Sequence, residues 1–509
     1  MRFEEAFVLQ AALARRRAEV ARLPATPRPA RPDGLLAGFD ARLPFTLTAG
    51  QNAVAAELGA ELARSQPMQR LLQGEVGSGK TVVALRAMLQ VVDAGGQAAL
   101  LAPTEVLAAQ HLRSVTGMLG PLAEAGMLGG SAVATRVALL TGSQGAAARR
   151  SALLDAASGA AGIVIGTHAL LSEGVQFAEL GLVVVDEQHR FGVEQRDALR
   201  SKADGTPHLL VMTATPIPRT VAMTTFGDLE VSTLREIPAG RSPVTTHVVP
   251  SGNPAWLARV WSRAREAVEK GHRVYVVCPR ISADDEPTSG SPDAATTATA
   301  AAAAPDIAAV VEVADRLRSR PELAGAAVGV LHGRLSAEER DRAMADFASG
   351  KVGVLVATTV IEVGVDVPEA TLMVVLDADR FGLSQLHQLR GRVGRGADPG
   401  LCLLVSGADP ASPAGERLAA LAATTDGFEL ARLDLRQRRE GDVLGAAQSG
   451  RGSSLRLLRV IEDADVIADA REEATTLVGA DPDLLDHPAL AGAIARALDA
   501  ERQGFLDRA

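Results

Sequence analysis

Short apolar runs recur along this chain at spacings that leave room for a helix between them. Runs at 98–102, 136–140, 162–165, 182–185 and 209–212, preceded by Leu71-Leu72-Gln73, alternate with helical or polar segments between about 34 and 238. Near-continuous apolar strands separated by helices are the pattern of a parallel sheet covered on both faces. A second series at 273–278, 327–331, 352–357, 372–376 and 401–405 repeats that pattern over 239–423. The expected fold class is α/β, with two tandem parallel-sheet lobes over 34–238 and 239–423 and a helical segment over 424–509. Residues 1–23 read as a charged helix whose few large apolar groups include Phe3, Phe7 and Val20, and Pro24, Pro27, Pro29 and Pro32 end it. Residues 1–33 are thus expected to be a connector and linker, not a domain. In the second lobe, 282–305 is a run of Asp, Pro, Thr, Ser and Ala with little to bury, which predicts a disordered surface insertion. Trp256 and Trp261 are expected to pack as core on that lobe's first helix.

Composition narrows the picture further. At 509 residues the chain is too long for one core, and aromatics at 3% leave the cores to small aliphatic side chains. Lys plus Arg at 52 against Asp plus Glu at 61 gives 52 − 61 = −9, so any grip on nucleic acid must come from a local basic groove. Cys278 and Cys402 lie inside apolar runs, where buried reduced thiols are expected, and this points to a reducing compartment. No uncharged apolar stretch reaches 18 residues, and Glu4 and Glu5 stand where a signal peptide carries positive charge. The expectation is a cytoplasmic protein with no membrane contact.

Chemistry enters at Gly74-Glu75-Val76-Gly77-Ser78-Gly79-Lys80-Thr81, the G-x-x-x-x-G-K-T spacing of a phosphate-binding loop. It follows a buried strand and opens a helix over 81–92. The glycines let backbone N–H groups face the phosphates while the positive end of the helix points at them. Lys80 is expected on the β and γ phosphates and Thr81 on a magnesium ion, making ATP and Mg2+ the cofactors. About a hundred residues on, the strand Val183-Val184-Val185 ends on Asp186 and Glu187. Alone, such a pair is more often a helix N-terminal charge pair. With the loop upstream, Asp186 reads as the magnesium carboxylate and Glu187 as the group that orients or deprotonates the attacking water. In Gln388-Leu389-Arg390-Gly391-Arg392-Val393-Gly394-Arg395, Arg392 and Arg395 are expected on one helical face. Such a pair suits charge developing on the γ-phosphate. The bland alternative is a solvated basic helix, against which Gly391 and Gly394 argue.

Taken together, these motifs resemble superfamily 2 helicases, and in detail the RecG family of branch-migrating DNA helicases. Leu43-Pro44-Phe45-Thr46-Leu47-Thr48 with Gln51 resembles the adenine-recognising element, which implies nucleotide contacts from Phe45 and Gln51. Ala102 to His111, with Pro103 and Thr104, resembles the first DNA-contacting motif, and Thr141-Gly142 and Gly166-Thr167-His168 resemble further ones. Threonine hydroxyls can bond phosphate oxygens; as isolated residues, Thr104, Thr141, Thr167 and Thr358 are more often strand-end caps. Thr213-Ala214-Thr215-Pro216-Ile217-Pro218-Arg219-Thr220 resembles the coupling motif, implying roles for Thr213 and Thr215. The run from Ala357 to Pro368 resembles the motif that touches both DNA and nucleotide, implying Thr358 for the first and Gly364 and Asp366 for the second. The continuation Gln188-His189-Arg190-Phe191-Gly192 is the RecG form and implies a relay toward DNA through His189. Gln388 joins Arg392 and Arg395 as an implied catalytic residue.

The tail, from Thr425-Asp426-Gly427-Phe428 through Gly441-Asp442-Val443-Leu444-Gly445 to Gln448, resembles the hairpin and loop that convert hydrolysis into movement, with Arg438 and Gln448 as implied coupling residues. Its arginine cluster is Arg432, Arg436, Arg438 and Arg439, and Arg439 stands where the family usually has glycine. The resemblance implies two RecA-like lobes and hydrolysis of ATP to ADP and phosphate, coupled to translocation on double-stranded DNA at replication forks and Holliday junctions in recombination and repair. Implied partners are branched DNA and single-stranded-DNA-binding protein, with the chain a monomer. The family's N-terminal wedge has no counterpart in residues 1–33, so DNA-stimulated hydrolysis with poor fork regression is expected. Two alternatives stand beside this: a transcription-repair-coupling-like translocase, and a nucleotide-switched junction-binding protein without motor activity.

Overall fold

A computed structural model describes residues 1–127, 131, 133–172, 174–186, 205–213, 229–236, 242–279, 305–358, 367–396, 398–437, 458 and 462–496. The chain divides into two compact units, one over 1–238 and 435–509 and the other over 239–434.

The first unit is built on seven strands: β1 (Gln69–Gly74), β2 (Gln97–Leu101), β3 (Arg136–Leu140), β4 (Ala161–Gly166), β5 (Leu180–Asp186), β6 (His208–Thr213) and β7 (Glu230–Leu234). Their order is β3-β4-β2-β5-β6-β1-β7, and every pairing is parallel. Among its helices are α1 (Arg2–Ala21), α2 (Leu35–Asp40), α3 (Ala49–Leu62), α4 (Lys80–Asp93), α5 (Glu105–Leu119) and α6 (Ala146–Ala157). The sheet is dry on both faces, as its apolar runs predict. In β5, Leu182 and Val184 enter one core with Phe39, Leu58 and Met88, while Val183 and Val185 enter the other with Leu140 and Leu170. Only Asp186, at the strand's C-terminal end, is part-exposed.

The second unit repeats the plan with β8 (Val244–Pro250), β9 (Arg273–Val277), β10 (Val328–Leu331), β11 (Val354–Ala357), β12 (Ala370–Val375) and β13 (Gly400–Ser406). The order is β10-β11-β9-β12-β13-β8, again all parallel. Its core holds the fully buried pair Tyr275 and Phe347, ring centroids 4.7 Å apart. The two-lobe α/β expectation holds. Two strands that the apolar runs do not reveal, β7 and β8, both lie at sheet edges, where alternate residues face outward and the run is diluted by polar groups.

One local expectation is corrected. Trp261 is core (4% exposed), with the Arg320 guanidinium 5.3 Å from its ring centroid, but Trp256 is 52% exposed. Both lie on the helix Pro254–Glu269, and five residues turn about 140° around a helix, so the two cannot share one face. The expected insertion lies outside the described residues except at its end, where Pro305 opens the helix Pro305–Arg318. Finally, residues 1–33 do more than connect. Ala11 and Ala14 of α1 pack against Ala474 and Val478 of the helix Ala464–Ala480. Arg2 to Asp463 (3.0 Å) and Arg22 to Asp483 (2.9 Å) tie the same pairing. The large apolar Phe3, stacked 5.9 Å from Phe7, is by contrast 45% exposed. In the proline-rich stretch the Arg28 guanidinium is buried, donating to the Ala94 carbonyl (3.2 Å) and to Glu179.

Candidate functional site

In open parallel sheets ligands collect at the carboxyl ends of the strands, and the sequence motifs fall there. The phosphate loop leaves β1 and enters α4 through Gly77 and Gly79, which take φ of 85° and 82°, a region that glycine occupies freely. At Gly79 the demand is double, because a Cβ would lie 2.2 Å from Gln51 Nε2. Lys80 Nζ donates to the carbonyl oxygens of Gly74 (2.8 Å) and Glu75 (2.9 Å), bracing the loop from within. Ser78 Oγ is buried with no hydrogen-bond partner, and a buried polar atom left over in a loop is a candidate for a ligand contact. Thr81 sits half-buried in the first turn of α4.

Gln51 is 2% exposed and braces the loop from below. Its Nε2 donates to the Ser78 carbonyl (2.9 Å), and its Oε1 accepts from the backbone N–H of Thr48 (2.9 Å), closing a capping box at the head of α3. The Thr48 hydroxyl and the Gly50 N–H then hold the Glu236 carboxyl below the usual carboxylate range. Phe45 nearby in sequence is 49% exposed.

Sheet order sorts the remaining motifs. Thr104, Thr141 and Thr167 follow β2, β3 and β4, three neighbouring strands on one side, whereas Lys80, Thr213 and Asp186 belong to β1, β6 and β5 on the other. Asp186 ends a strand two spacings from β1, about 10 Å across the sheet. Its Oδ2 lies 2.8 Å from His111 Nε2. Thr104 caps α5 by accepting from the Leu107 N–H (3.3 Å), and Glu105 accepts from the Ser143 N–H (2.9 Å) and hydroxyl, fastening the loop that holds Thr141 and Gly142. Thr141, Thr167, Thr213 and, in the second unit, Thr358 are all buried. Pro103 is part-exposed and His168 exposed.

In the second unit the helix Leu383–Arg390 ends before the expected arginine pair. Arg392 and Arg395 therefore do not share a helical face; they lie half-buried in the turn that follows, where Gly394 adopts φ 68°. The reason is close packing: a Cβ on Gly394 would lie 2.8 Å from Val244 Cγ2 and 3.2 Å from the Gly400 nitrogen. Arg395 Nε donates to the Gly391 carbonyl (3.0 Å). Arg390 is a buried brace whose Nη1 donates to the carbonyls of Leu421 (2.8 Å) and Thr424 (2.7 Å). Gln388 is half-buried on the same helix. Both thiols are free and buried, and burial pushes each up to about 12, as inert core cysteines require. Glu187, Gln188, His189, Arg190, Thr215, Gly364, Asp366, Arg438, Arg439 and Gln448 lie outside the described residues.

Sequence reasoning missed His111, Glu105, Glu236 and Arg390. Only His111 had a readable signal, as a polar residue in the buried stripe Ala108, His111, Val115 and Leu119 of α5. Glu236 acts across 186 positions of chain, a distance no local pattern reveals.

A phosphate loop and a strand-end aspartate on one parallel sheet, with a second such sheet behind it in the chain, define a superfamily 2 helicase motor. Family models agree in order: a DEAD/DEAH box helicase over 49–224 and a helicase conserved C-terminal domain over 298–397. A third, the C-terminal part of domain 3 of the ATP-dependent DNA helicase RecG, matches 424–499. The chain is 56% identical to the ATP-dependent DNA helicase RecG of Mycobacterium tuberculosis (strain ATCC 25618 / H37Rv), over 99% of its own length and 67% of that protein's. The Streptococcus pneumoniae RecG is 44% identical over 85% of this chain and 59% of its own. A structure of RecG bound to a three-way DNA junction superposes with TM-score 0.68 at 37% identity, covering 91% of this chain and 56% of that one. The DUF1998 helicase MrfA bound to DNA shares the fold, with TM-score 0.55 at 15% identity over 89% of this chain and 58% of that one. The chain belongs to the RecG family of ATP-dependent DNA helicases. Among the described residues, no helix is long and apolar enough to cross a membrane.

Proposed function

We propose that this chain is the motor of an ATP-driven double-stranded DNA translocase that works at branched DNA, including forks and Holliday junctions. The observation that carries the reading is the braced phosphate loop at the end of β1, in a chain similar to a RecG solved on a three-way junction. The donors fit a magnesium nucleotide: backbone N–H groups and an ammonium for the phosphates, and hydroxyl and carboxylate oxygens for a hard cation. Lys80 leaves its two carbonyl partners for the β and γ phosphates, Ser78 contributes its unused hydroxyl, and Thr81 and Asp186 hold the magnesium. Bound there, the metal neutralises charge that builds on the phosphate oxygens. Glu187 orients the attacking water. Phe45 and Gln51 face the adenine side, with Gln51 setting the loop's height through Ser78. Arg392, Arg395 and Gln388 are assigned to the γ-phosphate, and Gly364 and Asp366 to the nucleotide, as the family resemblance implies.

Pro103, Thr104, Thr141, Gly142, Thr167, His168 and Thr358 hold DNA through its backbone, which positions the duplex and reads no sequence. His189, Thr213, Thr215, Arg438 and Gln448 couple hydrolysis to movement. The protein acts as a monomer, with single-stranded-DNA-binding protein as a partner at forks. Steady-state ATP hydrolysis with and without a synthetic three-way junction tests this. Junction DNA raises the rate in the wild type, and Lys80→Ala removes hydrolysis under both conditions. A wild-type rate indifferent to DNA would exclude the translocase.

A further inference from the structure

Of the buried residues on α5, three are apolar and one is an imidazole. Ala108, Val115 and Leu119 pack into the core on the helix that lies against β3 and β4, and His111 shares their stripe at 9% exposed. A polar ring in such a stripe costs stability unless it is hydrogen-bonded, and this one reaches across to the end of the neighbouring strand β5. There its Nε2 meets Asp186 Oδ2 at 2.8 Å. A carboxylate only accepts, so Nε2 carries the proton and donates. Both side chains are largely screened from water, at 11% and 15% exposed. An apolar residue would complete the stripe; the ring instead meets a carboxylate. The contact also bridges the sheet's two halves, because α5 starts at Thr104 on the β2 side while Asp186 stands on the nucleotide side.

We propose that His111 is a positioning residue for Asp186, holding the carboxylate in the orientation that takes the nucleotide's magnesium. The proposal rests on the reading of Asp186 as a magnesium ligand. Carboxylates that ligate metals are themselves hydrogen-bonded, and loss of such an outer partner typically costs about 10- to 100-fold in metal affinity.

The test is binding of a fluorescent non-hydrolysable ATP analogue to the full chain, first in EDTA and then along a MgCl2 titration, without DNA. For His111→Ala the expected result is unchanged affinity in EDTA and a magnesium midpoint raised by about 10- to 100-fold. His111→Gln keeps an N–H donor at similar reach and recovers most of that loss. Asp186→Asn loses the magnesium-dependent gain altogether. A wild-type midpoint in His111→Ala beside a lost gain in Asp186→Asn overturns the role of His111 and leaves the ATP-site reading intact. Equal weakening in EDTA and in magnesium marks a packing role and also overturns it, as does a His111→Gln variant no better than His111→Ala. An Asp186→Asn variant that behaves as wild type removes both readings.

Discussion

His208 shows how one side chain can join a linker to a sheet. It lies at the start of β6, buried, with Nδ1 accepting from the Met68 N–H (3.0 Å), so Nε2 carries the proton and faces the Thr26 carbonyl at 3.4 Å. Burial lowers its pKa from the ordinary 6.5, the Thr26 carbonyl works against that shift, and Arg28 adds to it. Glu61, also facing the ring, pulls the other way. The fold thus prefers the neutral ring. A histidine whose pKa is depressed in the folded state contributes stability that is complete above its unfolded value and is lost as pH falls through the folded one. Melting temperature is therefore expected to drop below about pH 6.5, and less steeply in His208→Gln, which cannot titrate. Parallel pH profiles of the two proteins would remove this account. Nothing in the sequence around His208 announces the role, since Met68 and Thr26 are brought to it only by folding. Gly79, by contrast, was legible, because the phosphate-loop spacing already calls for glycine there before the approach of Gln51 adds a second reason.

Elements were legible in proportion to how completely they are buried. The central strands β2, β5, β9 and β12 are apolar but for a single polar residue each and were readable as runs, while the edge strands β7 and β8 carry exposed positions and were not. Helix ends were harder to read. The arginines after Arg390 looked helical by spacing, yet the close approach of Gly394 to Val244 and Gly400 turns the chain out of the helix. The pairing of α1 with the helix Ala464–Ala480 is likewise invisible locally, because it joins the two ends of the sequence through small residues. Ala11 and Ala474 are both fully buried at that contact, so Ala11→Leu must force the helices apart. Overpacking of this kind typically costs about 1 to 3 kcal/mol. Urea unfolding measures it, and an unchanged midpoint would mean that the helices do not pack this closely in solution.

For the whole molecule, net charge and DNA binding pull in opposite directions. The chain carries −9 overall, so it must hold a polyanion through local contacts against a repulsive background. Contacts to about six to ten phosphates lose on the order of 10³ to 10⁵ in affinity between roughly 50 and 200 mM salt. The DNA concentration that half-activates hydrolysis is expected to rise on the order of 10³-fold over that interval; a flat salt response would contradict backbone-based binding.

The sequence by itself determined the chemistry and the architecture. A phosphate loop is local, since eight consecutive residues specify both the turn and its ligands, and buried parallel strands write their own apolar runs. Only the tertiary structure decided which groups meet. His111 reaches Asp186, Gln51 supports Ser78, Glu236 holds the α3 cap and Arg390 closes the carbonyls of Leu421 and Thr424. The physical reason is one of range. Backbone geometry and hydrophobic periodicity act over a few residues, whereas hydrogen-bond partners are chosen by strand order, which sets distant segments side by side.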